Sequence, residues 1–369
     1  MASEKAVIKY FPALDGLRGA MAIAVIIVHV NRDWFPGAPI VMDVFFVISG
    51  FLISMIIQKE IQKTGTLSIL RFWQRRLTRL YPALLVVVAC SLLMASLLIK
   101  DMSPVLYDAL SSIFYYSNWT KIYNYVYPGM FGHTWSLSVE EQFYLLWPVF
   151  FVLTLQLNLR KIHTTIILLL IACVSILWRI HLIDQGVPWS RVYYALETRM
   201  DAFVAGGVLA LHFDWLRARA NALKWHALLN LCALALAILF ITGRPFDINY
   251  FLWQQPLAII LSMAAILLLT SSRENFLKRF FSGKLCVFLG VRCYSFYLWH
   301  WPIIWLLLMT TELPKLTMLM IAFTSTLLLS SLTYKFVEAP FLSHRTSTSK
   351  DEKATELASS STSTGNISR

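Results

Sequence analysis

The sequence predicts an all-α integral membrane protein with about ten transmembrane helices. Of its 369 residues, 58% are hydrophobic and only 14% are charged, and the mean hydropathy is +0.63. A soluble domain carries charges on about a quarter of its residues. Apolar runs of about 20 residues, long enough to cross the hydrocarbon core, recur along the chain. Their continuity favours helices over the alternating strands of a membrane barrel.

Ten segments are predicted to cross the membrane. They lie at 17–31, 41–58, 82–99, 139–156, 162–182, 195–213, 224–242, 251–270, 289–309 and 316–337. Another apolar segment, 104–118, contains Asp108 among serines and tyrosines, so we expect a helical element there that does not cross. The N-terminus lacks the features of a cleavable signal peptide, so the first span should remain as an anchor.

The basic residues are distributed unevenly across the predicted topology. With ten crossings and a cytoplasmic N-terminus, most of the 32 Lys and Arg side chains fall on the cytoplasmic side. This pattern predicts that both termini are cytoplasmic. An eleventh crossing at 104–118 would move Arg160 and Lys161 outside, which supports a non-crossing element. The net charge of +12 is therefore explained by a lipid bilayer, and nucleic acid is not expected as a partner.

A single folded domain is predicted. Residues 1–342 contain all the spans, and 343–369, rich in Ser, Thr, Lys and Glu, should form a disordered cytoplasmic tail. The five cysteines lie in or beside apolar runs and form no C-x-x-C pair, so neither a disulfide nor a metal site is expected.

The first two spans carry ionisable residues, which are costly in hydrocarbon. Arg18 and His29 are eleven positions apart, so they share a helix face at a separation of about 16 Å. Either Arg18 reaches the headgroups and His29 ends the helix, or both face one internal path; the shared face favours the path. Asp43 should pair with a cation or orient a histidine. Gly50 and Ser54, on the same stripe, are equally explained by close helix packing.

Three later motifs carry further polar residues. In RFWQRRLTRLYP, residues 71–82, the arginines form a ridge that suits either anionic lipid or a phosphate ligand. In GHTWSLSVEEQFYLLWP, residues 132–148, Ser138 and Glu141 have the spacing of a capping box. That leaves His133 and Glu140 unexplained, while Trp135 is typical of a membrane interface. In YSFYLWHWP, residues 294–302, the simplest interpretation of the histidine is a bond to a carbonyl that the proline frees.

Taken together, these motifs resemble the membrane acyltransferase-3 family of bacterial O-acyltransferases. The motifs are LDGLRG followed by a histidine, DVFFVISGFLI, RRLTRLYP, HTWSLSVEEQFYLLWP, YSFYLWHWP and FVEAPF, in that order from about residue 10 to 341. The resemblance implies a protein of the bacterial cytoplasmic (inner) membrane. It would move an acyl group, most often acetyl, from cytoplasmic acyl-coenzyme A to a hydroxyl of a carbohydrate outside. Many members carry a fused hydrolase-like domain, and this chain is expected to be a stand-alone member.

The resemblance also implies roles for particular residues. Arg76 and Arg79 would hold the donor phosphates, Arg18 would lie on the donor path, and His29 would act near the acceptor. The candidate catalytic residues are His29, Arg18, Glu140, Ser138 and Asp43; the candidate donor-binding residues are Arg76, Arg79 and Arg75; the substrate-side candidates are His133, Trp135 and His300. The expected co-substrate is acetyl-coenzyme A, and no metal is expected.

Ester formation needs an activated hydroxyl and a polarised thioester. A neutral His29 could take the hydroxyl proton, with Glu140 or Asp43 orienting the ring and Arg18 stabilising the developing charge. A covalent acyl-enzyme through Ser138 or Ser49 stays open. The acceptor could be a lipid-linked O-antigen unit, an exopolysaccharide, peptidoglycan, a lipo-oligosaccharide or a small molecule such as a macrolide. A transporter is the alternative of a different class, but the inverted repeats of many transporters are not visible.

Overall fold

The chain folds into helices throughout the part that the structure describes. This computed structural model describes residues 10–123, 129–244 and 247–341, and no β-strand occurs in these ranges. The predicted tail at 343–369 lies outside them. The helices are α1 (Pro12–Val30), α2 (Val41–Thr64), α3 (Ile69–Leu98), α4 (Ser103–Ile113), α5 (Ser117–Ile122), α6 (Trp135–Gln156), α7 (Lys161–Asp184), α8 (Trp189–Tyr194), α9 (Met200–Leu211), α10 (Phe213–Ala220), α11 (Leu223–Thr242), α12 (Gln255–Thr270), α13 (Phe276–Phe281), α14 (Lys284–Val291), α15 (Cys293–Thr310) and α16 (Lys315–Thr333).

Seven helices in the described ranges are long and apolar enough to cross a membrane. They are α1, α2 with the turn before it, α3, α7, α11, α12 with the π-helical turn Tyr250–Gln254, and α16 with the π-helical turn Tyr334–Glu338. The other three predicted spans, 139–156, 195–213 and 289–309, are also helical and correspond to α6, α9 and α15. α9 has only 12 residues. α6 and α15 carry polar residues of the predicted site. The all-α membrane class is confirmed.

The segment predicted not to cross, 104–118, contains nearly all of α4 and the first two residues of α5. α4 has 11 residues and α5 has six, and the chain turns between them at Tyr115, whose φ is 53°. A helix of 11 residues is about 16 Å long, about half of the hydrocarbon thickness. The buried Asp108 of α4 accepts a hydrogen bond of 2.5 Å from the Phe131 amide, which ties this element to the turn Gly132–Thr134 before α6.

Glycines let two pairs of elements approach closely. A Cβ atom on Gly50 of α2 would lie 2.1 Å from the carbonyl oxygen of Phe203 in α9. A Cβ on Gly290 of α14 would lie 1.9 Å from the carbonyl oxygen of Asp15 in α1. The packing interpretation of Gly50 therefore fits the structure. These close contacts hold α2 against α9 and α1 against α14. Both α1 and α2 carry residues of the site described below, among them Arg18.

Asp43 lies in a buried ion pair. It binds Arg199, the N-cap residue just before α9, and both side chains are 0% exposed. The Tyr250 hydroxyl donates to the second oxygen of the same carboxylate. The Arg199 Nε atom donates to the Tyr193 carbonyl at 3.0 Å. Both Asp43 oxygens are thus engaged at the α2–α9 contact, and Asp43 pairs with a cation rather than with a histidine.

Candidate active site

A cavity lies between α1, α2, α3, α6 and α15. Its volume is about 320 Å³. Three arginines and two carboxylates line it, and most of the remaining lining is apolar or aromatic. The charged lining residues are Arg18, Arg76, Arg79, Asp15 and Glu140. A cavity with more cationic than anionic side chains is suited to an anionic ligand.

Arg18 and Arg76 make different contacts in the cavity. Arg18 and Asp15 are 3.4 Å apart at their nearest charged atoms, one turn apart on α1. The Arg76 guanidinium lies over the Tyr144 ring, 3.8 Å from its centroid, and the Arg76 Nε is buried without a well-formed hydrogen bond in the described residues. Guanidinium groups held in this way present several donors to a phosphate.

A serine and a carboxylate meet inside the cavity. The Ser49 Oγ donates a hydrogen bond of 2.7 Å to Glu140 Oε1, joining α2 to α6. Both residues line the cavity with Arg18 and Arg76. Glu140 therefore lies with the arginines of the cavity, and the Val25 carbonyl, rather than this carboxylate, binds the His29 ring.

Three histidines form a separate cluster. The His300 ring centroid lies 5.1 Å from that of His29 and 5.1 Å from that of His133. The Trp301 ring lies against the His29 ring, with 4.8 Å between the two centroids. None of the three histidines is among the residues that line the cavity.

The hydrogen bond of His29 determines its tautomer. The Nδ1 atom lies 2.8 Å from the Val25 carbonyl oxygen, one turn earlier on α1. Because a carbonyl oxygen can only accept, Nδ1 carries the hydrogen and Nε2 keeps its lone pair in the neutral ring. A neutral imidazole with a free lone pair is the form that a general base requires.

Tyr297 lies between the cavity and the histidine cluster. It lines the cavity, and its ring centroid is 5.1 Å from His300 and 5.3 Å from His133. Its hydroxyl donates to the His133 carbonyl oxygen at 2.7 Å, so the Ser136 hydroxyl, 2.6 Å away, donates to Tyr297. Ser136 also lines the cavity, so the two polar regions share this wall.

The cavity and the histidine cluster lie at different heights along the neighbouring helices α1 and α15. Near one end, the Cys293 Sγ of α15 lies 3.6 Å from the Arg18 carbonyl oxygen of α1. Near the other end, His300 of α15 contacts His29 of α1. Both predicted residues of α1 therefore abut α15, separated along the axis by about 16 Å of helical rise.

Several predicted site residues have other partners. Arg75 forms an ion pair with Glu60 and is not part of the cavity lining. Trp135 packs against the rings of Tyr193 and Phe46 in the core. Asp43 belongs to the buried pair with Arg199, as described above.

The predicted capping box is wrong. α6 begins at Trp135, four residues before the expected start, and its N-cap residue Thr134 makes no side-chain capping bond. Ser138 is therefore inside the helix, where its Oγ donates to the Thr134 carbonyl at 3.2 Å. The same Oγ lies 2.8 Å from the Ser117 Oγ, which ties α6 to α5. The serine of this motif that lines the cavity is Ser136.

The sequence did not single out Ser136, Tyr297 or Cys293 as site residues. Helical spacing could have pointed to Tyr297, because it lies one turn before His300 on the same helix. The sequence predicts that His300 binds a main-chain carbonyl, and its Nδ1 lies 2.5 Å from the Tyr297 carbonyl oxygen. Pro302 itself frees a different carbonyl, that of Leu298, because the missing amide belongs four residues later.

Comparison with known proteins finds a matching family model and related sequences. Residues 11–335 match a family model described as an acyltransferase domain. The chain is 34% identical over 351 residues to a peptidoglycan O-acetyltransferase of Listeria monocytogenes. It is 33% identical over 352 residues to a putative peptidoglycan O-acetyltransferase of Bacillus subtilis, and 31% identical over 365 residues to a putative O-acetyltransferase of Staphylococcus aureus.

Each of these alignments covers 90% of this chain. They cover 56%, 55% and 57% of the respective relatives, so the chain spans little more than half the length of the curated relatives it matches. Solved structures gave no match. The family model covers most of the chain and includes the cavity and the histidine cluster, so the chain belongs to the acyltransferase-3 family.

Proposed function

We propose that this protein is a membrane O-acyltransferase that moves an acetyl group from acetyl-coenzyme A to a hydroxyl of a polysaccharide outside the cytoplasmic membrane of a bacterium. The observation that carries the proposal is the juxtaposition of an arginine-lined cavity with a neutral histidine, separated by one wall. The cavity would receive the donor from the cytoplasm, and the histidine cluster would meet the acceptor. Both termini would then be cytoplasmic.

Arg76 and Arg79 would bind the phosphates of the donor. Both line the cavity on α3, and the buried Arg76 Nε lacks a well-formed hydrogen bond within the described ranges. A buried donor group of this kind needs a partner, and a phosphate oxygen is a suitable one. Arg75 is left out of the donor site because Glu60 already neutralises it.

His29 would act as the general base through Nε2. Its Nδ1–H is held by the Val25 carbonyl, so the ring is oriented without a carboxylate. Arg18, about 16 Å from His29 along α1, would contact the donor within the cavity rather than at the carbonyl that the acceptor attacks. Glu140, fixed by Ser49, would hold the arginines of the cavity in position.

The acceptor class is suggested by the relatives. Two of them are named for acetyl transfer to peptidoglycan, which makes peptidoglycan the first acceptor to test. A lipid-linked O-antigen unit and an exopolysaccharide are the other polysaccharides to test. All three present hydroxyls on the outer side of the membrane, where the first span would place His29.

Mass spectrometry of cell envelopes tests this proposal. Peptidoglycan, surface polysaccharide and secreted small molecules are compared between cells with and without the protein. We expect one glycan to lose the mass of an acetyl group when the protein is absent, and mild base to remove the same mass from wild-type material. No acyl difference in any of these fractions would contradict acyl transfer and favour a transporter.

A further inference from the structure

An apolar cavity lies between α1, α2, α11, α12 and α13. Its volume is about 280 Å³, and every residue that lines it is apolar. It shares no lining residue with the arginine-lined cavity, and α1 presents a different face to each of the two. Apolar walls offer water no hydrogen-bond partner, so this cavity is suited to a hydrocarbon ligand.

Small side chains leave the apolar cavity open at the surface of the helical bundle. Ala237 of α11 is exposed, and Ala233 of α11 and Ala20 and Ala24 of α1 are half-buried. α1, α2, α11 and α12 are all long and apolar enough to cross a membrane. The opening between them therefore faces lipid hydrocarbon, from which an acyl chain can enter.

α13 closes one end of the apolar cavity and brings positive charge to it. Leu277 and Phe281 line the cavity, and Lys278 and Arg279 lie between them in the same helix. Gly16 lets α13 approach α1 closely, because a Cβ at Gly16 would lie 1.7 Å from the Phe281 carbonyl oxygen. The two basic residues thus have a fixed position beside the cavity.

The elements around α13 are strongly basic. Arg217 joins α10 to the end of α12, because its Nε donates to the Thr270 carbonyl at 2.7 Å. Glu274 binds Lys278 at 2.6 Å, whereas Arg279 is exposed. Basic clusters between transmembrane helices attract the headgroups of anionic lipids. In α10, α13, the starts of α11 and α14 and the turn after α12, the cations are Arg217, Arg219, Lys224, Arg273, Lys278, Arg279 and Lys284, and the carboxylates are Asp214 and Glu274.

Two phenylalanines of α13 suit a position at the membrane surface. Phe276 is 78% exposed and Phe280 is 53% exposed, and their ring centroids are 6.2 Å apart. Apolar rings beside Lys278 and Arg279 are the composition of an interfacial segment. The headgroup level of the bilayer would then be at α13, with the apolar cavity next to it in the hydrocarbon.

We propose that an anionic phospholipid binds here, with one acyl chain in the apolar cavity and its phosphate at Arg279. The excess of cations around α13 selects an anionic headgroup over a zwitterionic one. A phospholipid is present in large excess over any lipid-linked glycan, so mass action favours it as the occupant. The chain would contact Leu17 and Met21 and so support α1, the helix that carries Arg18 and His29.

The lipid site can be tested with two substitutions, each with a matched control. Ala237→Phe places a ring in the opening of the cavity, and Ala235→Phe places the same ring at an exposed position of α11 outside the cavity lining. Arg279→Gln removes the exposed cation of α13. Arg160→Gln removes an exposed arginine just before α7, a helix that does not line the apolar cavity.

The full chain is purified in detergent and titrated with dioleoyl phosphatidylglycerol or dioleoyl phosphatidylcholine. Native mass spectrometry counts the bound lipids, and the thermal midpoint is measured at each concentration. We expect phosphatidylglycerol to bind the wild type more tightly than phosphatidylcholine and to raise its midpoint. This binding should be lost in Ala237→Phe and weakened about fivefold in Arg279→Gln, the effect of one basic residue near a lipid headgroup. Both controls should match the wild type.

Three outcomes would overturn the lipid site. Equal binding of the two lipids would remove the anionic headgroup from the proposal. Wild-type binding of phosphatidylglycerol by both Ala237→Phe and Arg279→Gln would place the lipid elsewhere. Tighter binding of undecaprenyl phosphate than of phosphatidylglycerol would assign the cavity to a lipid carrier instead. If Ala237→Phe does not fold, the exposed Arg279→Gln decides between the headgroup site and its absence. None of these measurements involves acyl transfer, so their result is independent of the proposed function.

Discussion

Ser49 of α2 donates a hydrogen bond of 2.7 Å to Glu140 of α6 inside the arginine-lined cavity. The two residues are 91 positions apart in the chain, so only the packing of α2 on α6 brings them together. The contact places a carboxylate beside Arg18 and Arg76 and offers two interpretations. Glu140 either holds the arginines in place, or it activates Ser49 as a nucleophile that carries the acetyl group.

Substitution of Ser49 distinguishes these interpretations. Ser49→Ala removes the hydroxyl and leaves Glu140 with the arginines, so we expect transfer to continue at a reduced rate if transfer is direct. Glu140→Gln should lower transfer more strongly, because an amide does not neutralise the arginines. The measurement is base-labile acetyl on the cell glycan. Complete loss in Ser49→Ala, with an acetylated Ser49 peptide in the wild type, would establish the covalent intermediate instead.

The double substitution Arg76→Ala/Arg79→Ala should weaken donor binding. Hydrogen bonds to charged groups contribute about 1.5–3 kcal/mol each, so we expect a loss of affinity of tenfold or more per arginine. Binding of acetyl-coenzyme A to the purified protein is the measurement. Arg71→Ala is the matched control, since Arg71 is exposed on the same helix and outside the cavity lining. Equal affinity in the double variant and the control would refute the phosphate role.

His29→Asn should retain the fold and lose transfer. The asparagine amide can still donate to the Val25 carbonyl, but no nitrogen replaces Nε2. We expect the transfer rate to fall by about 10²–10⁴-fold, the usual contribution of a general base. The affinity for acetyl-coenzyme A should not change, since the ring lies outside the cavity lining. Wild-type acetylation in this variant would remove His29 from the mechanism.

Asp43 should prove to be a stability residue. Asp43→Ala leaves the guanidinium of Arg199 buried without its charge partner, which costs about 3–5 kcal/mol. We expect a large fall in the thermal midpoint of the purified protein. The double substitution Asp43→Asn/Arg199→Gln removes both charges and should recover part of it. If Asp43→Ala melted like the wild type and lost only transfer, the catalytic prediction for Asp43 would stand.

The contact between Asp108 and Phe131 should make stability depend on pH. Burial raises the Asp108 pKa from 3.8 to about 6, against smaller opposing effects of the Phe131 amide and Lys121. Between these pH values the folded state binds more protons than the unfolded state, so stability is lost as pH rises through this window. Asp108→Asn keeps the acceptor for the amide and cannot titrate. We expect its thermal midpoint to vary less with pH between about 4 and 6 than that of the wild type; parallel curves would refute this.

The sequence predicted the class of fold and most of the polar residues near the site, but not their partners. Hydropathy and helical spacing are local properties, so they place Arg18 and His29 along one face of α1. The partner of Asp43 is 156 positions away, and no local pattern identifies Arg199. For the same reason the local pattern predicts Ser138 to be a cap, although its hydroxyl binds Ser117 of the non-crossing element.

The wall formed by Tyr297 and Ser136 also affects how the donor is protected. If the donor binds as proposed, its thioester would lie beside Arg18 on the cavity side of this wall, whereas water from outside the cell would arrive at the histidines. Hydrolysis of the thioester between turnovers would then be slow, because the base that could activate water is kept apart from it until an acceptor arrives. Opening this wall, for example with Tyr297→Ala, should turn part of the transferase activity into wasteful release of acetate.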